Sequence, residues 1–513
     1  MELSLSRSPS LPALAWCAVI SRGRESIQLH AGSQVEVTDN GIVEGAWSGP
    51  FEDFGFASAK TFTGTGLLLE EDKVILSTPT HTLYPIYSLQ LGPSIFASNS
   101  LPFVLAVSDN YLDPKYPFYD SDIMSIIFGL DSYTKTIPTK MGAKIHLHYM
   151  ANISIGKNLR VRSEQKRIRG NFSKFEDYFH FLVSETQAVV NNATDSRRCF
   201  SYKPITTVSS GYDSPACAVI AGLVGATTAI TLKEARSDFA ETEDSGKSIA
   251  DVLRLEVTEL SKTDYFKSGQ ESRELEFFAS GYGGDDIVWL GAEDSLKGTL
   301  MFTGYHGDKI WDTKRSSVST DIKRGDPSGS SLLEFRLRAG FLNFPLPFIA
   351  AQCHPDIQKI AVSNEMAEWT LGNKYDRPIP RRIVEKEGVP RNLFGQSKKA
   401  VALPYQYTHN GANPSLVSRM SEQSLVNFQQ YINKQGVDVV HANSISLRVV
   451  NRIAKSHKIN KVASILGLQK KLELLKWRHR KPISEHNYVT AWAANTLRNS
   501  YLAHRSTNVA PRE

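Results

Sequence analysis

The sequence predicts an α/β protein of two domains, the first rich in strands and the second built on a parallel sheet. The chain has 513 residues, which is enough for two or three domains. Short β-type runs broken by Gly, Asn, Asp and Pro fill residues 1–160. From residue 170 onward, strand patterns alternate with helical patterns, which favours a parallel sheet with helices on both faces. We therefore predict domains at 1–160 and 170–513.

Composition excludes several classes of protein. Hydrophobic residues make up 41% and charged residues 22% of the chain, as in ordinary globular proteins. The net charge of +6 is too small to indicate nucleic-acid binding by itself. The cysteines are scattered and form no CxxC pair, so we expect neither a zinc site nor a disulfide framework. No apolar run reaches transmembrane length, and we predict a cytoplasmic protein in which residues 11–20 form a core strand.

The individual elements follow from local patterns. Strands are predicted at 27–37, 66–69, 73–77, 86–91 and 144–154 in the first domain, and at 227–232 and 255–260 in the second. Helical spacing is found at 172–190, 241–253, 425–432, 447–453 and 489–502, and residues 103–107 and 121–129 read as short helices or turns. The basic stretch 157–169 reads as a linker, and the chain from about residue 410 reads as a helical extension.

A strand, a glycine turn and a helix follow one another around residue 211. Strand, turn and helix in this order surround an anion with backbone N–H groups and a helix N-terminus. Hydroxyls and one carboxylate come from Ser209, Ser210, Ser214 and Asp213. Asp213 is suited to hold Mg²⁺ against phosphates. An ordinary strand–turn–helix connection explains the same residues.

This turn resembles the pyrophosphate loop of the N-type ATP pyrophosphatases, whose pattern is Ser-x-Gly-x-Asp-Ser. It lacks the lysine of a Walker loop. Those enzymes cleave ATP between the α and β phosphates and adenylate a substrate. The resemblance implies an adenine nucleotide α-hydrolase-like domain and an ATP site. Its ATP-binding residues would be Ser209, Ser210, Gly211, Asp213, Ser214 and, at the end of the next strand, Leu232.

A second strand-to-glycine turn follows residues 299–303. It carries Thr303, Gly304 and Asp308, and Thr303 and Gly304 would join the ATP-binding residues that the resemblance implies. We expect Asp213 and Asp308 to meet and to share one Mg²⁺ with a triphosphate, because the metal offsets their mutual repulsion. A surface turn whose aspartate merely caps a helix is the alternative.

The second turn resembles the Ser-Gly-Glu-Gly-Ser-Asp-Glu motif of the asparagine synthetases, with Tyr305 in place of the first Glu. The related β-lactam and carbapenam synthetases carry Tyr there, and a downstream Glu completes a dyad that deprotonates the attacking amine. The resemblance implies that Tyr305 is the base and that Glu334, in a segment similar to Leu-Glu-Ala-Arg, is its partner. Glu334 is equally suited to an ion pair with Arg338 on the same helix.

Two later segments carry candidate cations. Residues 394–400 resemble the family's Arg-x-Lys segment, which implies that Lys398, or alternatively Lys399, stabilises the departing phosphates. The segment 376–382 is dense in proline and arginine. Arg381 or Arg382 is suited to bind a substrate carboxylate bidentately, and equally suited to fix a loop.

The first domain resembles a class II glutaminase domain through Pro85, Ile86 and Tyr87 and the segment 95–98. The resemblance implies an Ntn-hydrolase-like αββα sandwich. A working glutaminase of this class needs Cys at its mature N-terminus, where the free amine activates the thiol. Here Glu2 follows Met1, and Cys17 lies in an apolar run. We therefore expect the fold without glutamine hydrolysis.

These resemblances imply an ATP- and Mg²⁺-dependent, AMP-forming ligase that joins a small carboxylate to an amine. The amine is either part of the same substrate, giving a lactam, or a second molecule, and a homodimer is compatible with the family. Two alternatives stay open. One is a tRNA-modifying enzyme of the same superfamily, with residues 455–481 and Trp477 as a phosphate-binding face. The other is a non-catalytic descendant that binds a nucleotide.

Overall fold

The fold is mixed α/β, with two largely antiparallel sheets in the first third of the chain and one parallel sheet after them. The computed structural model describes residues 2–237, 240–261, 264–265, 272–314, 318–397, 420–437, 468–479 and 483–506. Lys398 and Lys399 therefore lie outside the described residues.

The first 165 residues form two sheets. Their strands are β1 (Glu2–Arg7), β2 (Trp16–Ser21), β3 (Ser26–Ala31), β4 (Glu36–Thr38), β5 (Gly41–Trp47), β6 (Phe62–Leu69), β7 (Lys73–Ser77), β8 (Ile86–Leu91), β9 (Ser94–Ser98), β10 (Thr136–Pro138), β11 (Lys144–His148), β12 (Ala151–Gly156) and β13 (Val161–Gln165). A seven-stranded sheet has the order β1-β3-β2-β9-β8-β11-β10, and a six-stranded sheet has the order β13-β12-β7-β6-β5-β4. Neighbouring strands are antiparallel except for β1 and β3, which are parallel.

The two sheets share one apolar layer. It consists of alternate residues of strands in both sheets, among them Leu29, Ile86, Leu67, Leu76 and Ile153, all 0–2% exposed. Period-2 alternation places these side chains on one face of each strand. Each fully buried side chain of this kind contributes about 1.5–3 kcal/mol, so the shared layer fixes how the sheets face each other.

The helices follow the same numbering in chain order. They are α1 (Leu101–Val107), α2 (Tyr119–Met124), α3 (Phe175–Ala193), α4 (Asp213–Leu223), α5 (Lys247–Val252), α6 (Leu275–Phe278), α7 (Glu293–Leu296), α8 (Gly307–Ile310), α9 (Leu333–Ala339), α10 (His354–Ala361), α11 (Pro378–Lys386), α12 (Glu422–Gln435), α13 (Gln469–Arg478) and α14 (Val489–Ser506). No helix among the described residues is long and apolar enough to cross a membrane.

The parallel sheet reverses its strand order at one point. The remaining strands are β14 (Lys203–Thr207), β15 (Thr228–Leu232), β16 (Glu234–Ser237), β17 (Ala240–Glu243), β18 (Glu256–Leu260), β19 (Thr299–Thr303) and β20 (Leu342–Pro345). The five-stranded sheet has the order β18-β15-β14-β19-β20, and every neighbouring pair is parallel. The chain therefore moves outward from β14 first to one side and then to the other. Such a switch point opens a crevice at the carboxyl ends of the two central strands.

Several sequence-predicted elements are confirmed, and others are wrong in part. The single strands predicted at 27–37 and 144–154 are each two strands, β3 with β4 and β11 with β12, and the core strand predicted at 11–20 begins only at Trp16. The strands predicted at 73–77 and 86–91 have those bounds. The stretch 157–169 is not simply a linker, because β13 within it pairs with β12. The helix predicted at 241–253 begins only at Lys247, because β17 pairs with β16 and Asp244 turns towards the loop after β14. The predicted helix at 447–453 lies outside the described residues.

Candidate active site

The two predicted glycine turns line one cavity. It lies at the carboxyl ends of β14 and β19 and has a volume of about 240 Å³. Its lining includes these residues predicted from the sequence: Ser209, Gly211, Asp213, Ser214, Leu232, Thr303, Gly304, Tyr305 and Asp308. The switch point of the sheet thus brings together residues that the sequence places far apart.

Glycine permits the close approach of the two turns. A Cβ at Gly304 would lie 2.8 Å from the backbone N of Ser214, and a Cβ at Gly307 would lie 2.6 Å from Cγ of Asp213. Both distances are shorter than any van der Waals contact, so a side chain at either position would force the turns apart. The glycines of the second turn are therefore needed for packing against the start of α4.

The first turn is held in place by its own hydroxyls. The Oγ atoms of Ser209 and Ser214 are 2.8 Å apart, and the Gly211 N–H donates to Oγ of Ser209 over 3.3 Å. Ser210 donates from its hydroxyl and its backbone N–H to Oδ1 of Asp244, over 2.6 and 3.1 Å. Ser210 does not line the cavity. Its side chain fixes the turn, and the prediction that it binds the cofactor directly gains no support.

Asp213 and Asp308 both line the cavity, with Arg377 beside them. The Arg377 guanidinium forms an ion pair with Oδ2 of Asp213 and lies 5.1 Å from the centre of the Tyr375 ring. Burial lowers the pKa of Arg377, but the attraction of Asp213 and Tyr375 outweighs it and leaves that pKa above its usual value. The described residues contain no group of three or more metal-ligating His, Cys, Asp or Glu side chains. The two carboxylates suit Mg²⁺ when phosphate oxygens and water complete its shell.

Arg377 was missed by the sequence analysis, which singled out Arg381 and Arg382 from the same segment. Arg381 is fully buried, bonds the Tyr212 hydroxyl and lies 3.5 Å from Glu385. Arg382 bonds Glu176 over 2.7 Å and covers the Phe175 ring. Neither arginine lines the cavity, and their contacts agree with the predicted alternative that they fix a loop. The only sequence signal for Arg377 was its position in the same arginine-rich segment.

Tyr305 has a nearby carboxyl group, Asp286, that the sequence did not predict. Its hydroxyl accepts a hydrogen bond of 3.1 Å from Nε1 of Trp289, and Asp286 lies near enough for its charge to raise the pKa of Tyr305. Asp286 in turn accepts from the Gly329 N–H over 2.9 Å and from Oγ of Ser331 over 2.7 Å. A Cβ at Gly329, where φ is +82°, would lie 2.5 Å from the Tyr305 ring. The ring is therefore held in one position.

Burial shifts both groups of this pair. It raises the pKa of Tyr305 well above its usual value, and the charge of Asp286 raises it further. Burial also raises the pKa of Asp286, while the hydrogen bonds from Ser331 and Gly329 act in the opposite direction. Tyr305 is therefore a neutral phenol at physiological pH, with the carboxyl group of Asp286 near it.

Glu334 does not join Tyr305, and the predicted dyad is wrong in this respect. Its Oε2 accepts from Oγ of Ser100 over 2.8 Å and from the Tyr501 hydroxyl over 3.3 Å. The alternative pairing with Arg338 is also absent, because Arg338 binds Glu276 and Glu293. Glu334 is the second residue of α9, and the rotation of that helix turns it towards α1 and α14 instead of the cavity.

The residues just before Lys398 contact the first turn. The Gly395 N–H donates to the Ser210 carbonyl over 2.9 Å. Gly395 has φ +67°, and a Cβ there would lie 2.4 Å from the Tyr212 ring, so the chain passes directly over this turn.

His306 is a further cavity residue to which the sequence gave no role. It adopts a left-handed conformation with φ +76° and stacks on Phe348 at 4.6 Å between ring centroids. Neither ring nitrogen has a hydrogen-bond partner among the described residues. Burial lowers the pKa of His306 well below its usual value, so the imidazole is neutral.

The described part of the basic stretch 455–481 docks against the first domain. Nε1 of Trp477 donates to the Ser121 carbonyl over 2.9 Å, and Arg478 lies 2.6 Å from Oδ1 of Asp122. These two side chains fasten α13 to α2.

Comparison with known proteins gave no relative. No protein-family model matches the chain. None of the curated proteins matches it either.

Proposed function

We propose that the protein is an ATP-dependent, AMP-forming ligase that activates a small carboxylate and transfers it to an amine without hydrolysing glutamine. The observation that carries this proposal is the meeting of two turns at a topological switch point. Each turn ends a central parallel strand, each supplies an aspartate, and both line one cavity. Open α/β sheets bind their ligands at such a point.

The finer fold assignment belongs to the same proposal. Two antiparallel sheets packed face to face agree with an Ntn-hydrolase-like αββα sandwich. A five-stranded parallel sheet with one reversal agrees with an adenine nucleotide α-hydrolase-like domain. Cys17 is fully buried in β2, between β3 and β9, which supports a first domain without a thiol nucleophile.

The cavity offers a place for each part of a nucleotide. Val208 and Leu232 supply an apolar wall at the ends of β14 and β15. Ser209 and Ser214 present hydroxyls at the start of α4, where the helix dipole favours an anion. No side chain caps this helix start at Tyr212. The base would lie against the apolar wall, and the phosphates against the turn.

The charged residues around the turn would neutralise the negative charge of the phosphates, either directly or by holding Mg²⁺. Asp213 and Asp308 would hold Mg²⁺, which supplies positive charge against the triphosphate. Arg377 is a buried cation beside them and suits the departing pyrophosphate. Lys398 remains the proposed late lysine, because the residues leading to it contact the first turn.

Tyr305 and Asp286 would prepare the amine. An ammonium ion has no lone pair with which to attack an acyl group, so the substrate needs a base. The phenol oxygen of Tyr305 would take the proton of the amine while the hydroxyl proton passes to Asp286. The Gly329 and Ser331 donors keep Asp286 oriented throughout.

Pyrophosphate release tests this function. The purified full-length protein would be incubated with MgATP and a panel of carboxylic acids, and both AMP and pyrophosphate would be measured. Acid-dependent formation of both products is expected, and Asp308→Asn is the control that should lower it about 10²- to 10³-fold. ADP as the product, or hydrolysis independent of any acid, would overturn the proposal.

A further inference from the structure

A short loop, residues 371–377, leads into α11 and is closed on itself. Oδ2 of Asp376 accepts from the backbone N–H groups of Leu371 and Gly372 over 2.8 and 2.7 Å. The first residues of the loop are exposed, whereas its last two are buried. The loop therefore has a defined shape, and only its last part enters the protein.

Tyr375 and Arg377 make the contacts of this loop with the first turn. The ring of Tyr375 lies 4.9 Å from that of Tyr212, and both Tyr375 and Arg377 line the candidate active site. The Arg377 guanidinium forms its ion pair with Asp213, which is the first residue of α4. Only 3% of Arg377 is exposed, so its charge is removed from water and depends on the carboxylate beside it.

Among the described residues, Arg377 is the one lysine or arginine that lines the cavity. Burial lowers its pKa, but Asp213, Tyr375 and Asp308 together raise it more strongly. Lys309, which directly follows Asp308 in the chain, does not line the cavity. Both carboxylates proposed to hold Mg²⁺ therefore act on the charge of Arg377.

A metal ion at Asp213 would compete with Arg377. Two cations on one carboxylate repel each other, and the repulsion is strong where the dielectric constant is low. Displacing the guanidinium by a metal alone would leave a buried charge without a partner, which is strongly destabilising. A triphosphate offers the guanidinium new acceptors, because phosphate oxygens bind it bidentately. The displacement is therefore favourable when metal and phosphates arrive together.

We propose that Arg377 is a placeholder for the metal, which neutralises Asp213 until a magnesium–triphosphate complex enters and then transfers its hydrogen bonds to the phosphates. This inference rests on the proposed ATP site and deepens it, since it defines the form in which the cofactor binds. The phosphates are within reach of Arg377, because α4 begins at Asp213 and its N-terminus is the proposed phosphate position. Metal and nucleotide bind as one complex, and each binds weakly alone.

Calorimetry with the full-length protein is the first test. The probes are Mg²⁺ alone, the uncleavable analogue α,β-methylene-ATP with EDTA, and the same analogue with Mg²⁺. The complex should bind at least about tenfold more tightly than either component, and Mg²⁺ alone binding as tightly as the complex would overturn the proposal. No binding of the complex would refute the ATP site and this inference with it. Binding of the complex without acid-dependent pyrophosphate release would refute the ligase function alone.

Arg377→Met is the decisive variant. It removes the charge and keeps an unbranched side chain, so Asp213 loses its partner. Without nucleotide, Mn²⁺ should bind this variant at least about tenfold more tightly than the unmodified protein, as counted by electron paramagnetic resonance. The magnesium–analogue complex should bind it more weakly, whereas a merely structural ion pair would weaken both.

Three further variants serve as controls. Adding Asp213→Asn to Arg377→Met should abolish the gain in Mn²⁺ affinity. Arg377→Lys keeps the charge and should show no gain. Arg391→Met removes an exposed arginine that pairs with Glu385 and should bind Mn²⁺ like the unmodified protein. Equal Mn²⁺ affinity in Arg377→Met and the unmodified protein, or a gain that persists with Asp213→Asn, would overturn the proposal.

Discussion

Replacing Tyr305 by phenylalanine isolates the proton-transfer step. The change removes one oxygen and keeps the ring, which packs against Gly329 and the cavity wall. The variant loses the hydrogen bond from Trp289. One lost neutral hydrogen bond lowers the unfolding free energy by about 0.5–1.5 kcal/mol. We therefore expect a folded protein that still binds MgATP.

The kinetic effect should be much larger than the effect on stability. Loss of a positioned general base typically lowers the rate by about 10²- to 10⁴-fold. This corresponds to about 2.7–5.5 kcal/mol in the barrier. The loss should appear in transfer to the amine and not in formation of the acyl-adenylate, because only the first of these steps needs the deprotonated amine.

Asp286→Asn should give the same pattern. The amide can keep the hydrogen bond from Ser331 but cannot accept a proton. Because Tyr305 and Asp286 would act as one unit, the double variant should be hardly slower than either single variant. Ser331→Ala is the control, since it removes one donor to Asp286 but leaves the proton path intact.

The assay is single-turnover amide formation from acyl-adenylate formed on the enzyme. Hydroxylamine, which attacks without a base, gives an independent measure of how much acyl-adenylate is present. Both variants should retain hydroxamate formation and lose amide formation. If amide formation in Tyr305→Phe stays within a few-fold of the unmodified protein, Tyr305 is only a wall of the cavity and the reasoning is refuted.

Three further predictions concern the metal, the first domain and Glu334. Asp308→Asn should lower pyrophosphate release by about 10²- to 10³-fold, as expected for loss of a main electrostatic group; a rate unchanged at saturating Mg²⁺ would remove Asp308 from the metal site. Glutamine should not replace the amine, because Cys17 is fully buried, and glutamate production that disappears in Cys17→Ala would contradict this. Glu334 has a pKa near 8 in the folded state against 4.5 for the free group, so the folded protein binds the extra proton and its stability falls as pH rises between these values. Glu334→Gln should remove up to about 1.4 kcal/mol per pH unit of this decline, and equal slopes in urea unfolding from pH 5.5 to 8 would show that Glu334 is not protonated.

The sequence predicted elements best where the pattern was local. The run 299–303 has β-branched and apolar residues followed by glycine, and it forms β19 with those bounds. Alternation identified β7 and β8 in the same way. The helix predicted at 241–253 was wrong at its start, because residues 240–243 form β17 and pair with β16. This strand pairing overrides the helical spacing of the sequence.

Contacts between residues far apart in the sequence were harder to predict from local patterns. The aspartates at the ends of two strands could be placed together, since parallel strands end at one edge of a sheet. The carboxyl group near Tyr305 could not be predicted, because Asp286 comes from a loop with no recognisable motif. Glu334 was predicted there instead, but the rotation of α9 turns it away from the cavity. Arg377 was not predicted for a similar reason, because the sequence does not show which of the three arginines, Arg377, Arg381 or Arg382, points into the cavity.

The first domain has a structural role, which its buried polar contacts with the rest of the chain define. Glu44 of β5 binds Arg336 of α9 through two hydrogen bonds of 2.8 and 2.9 Å, and both residues are at most 1% exposed. Tyr84 accepts from Asn343 over 2.7 Å and donates to the Gly329 carbonyl over 3.3 Å. Asn343 also accepts from the cavity residue Thr303 over 3.1 Å. Breaking such a buried pair leaves an uncompensated charge, which is strongly destabilising. The first domain therefore supports the back of the cavity behind Tyr305 and Thr303.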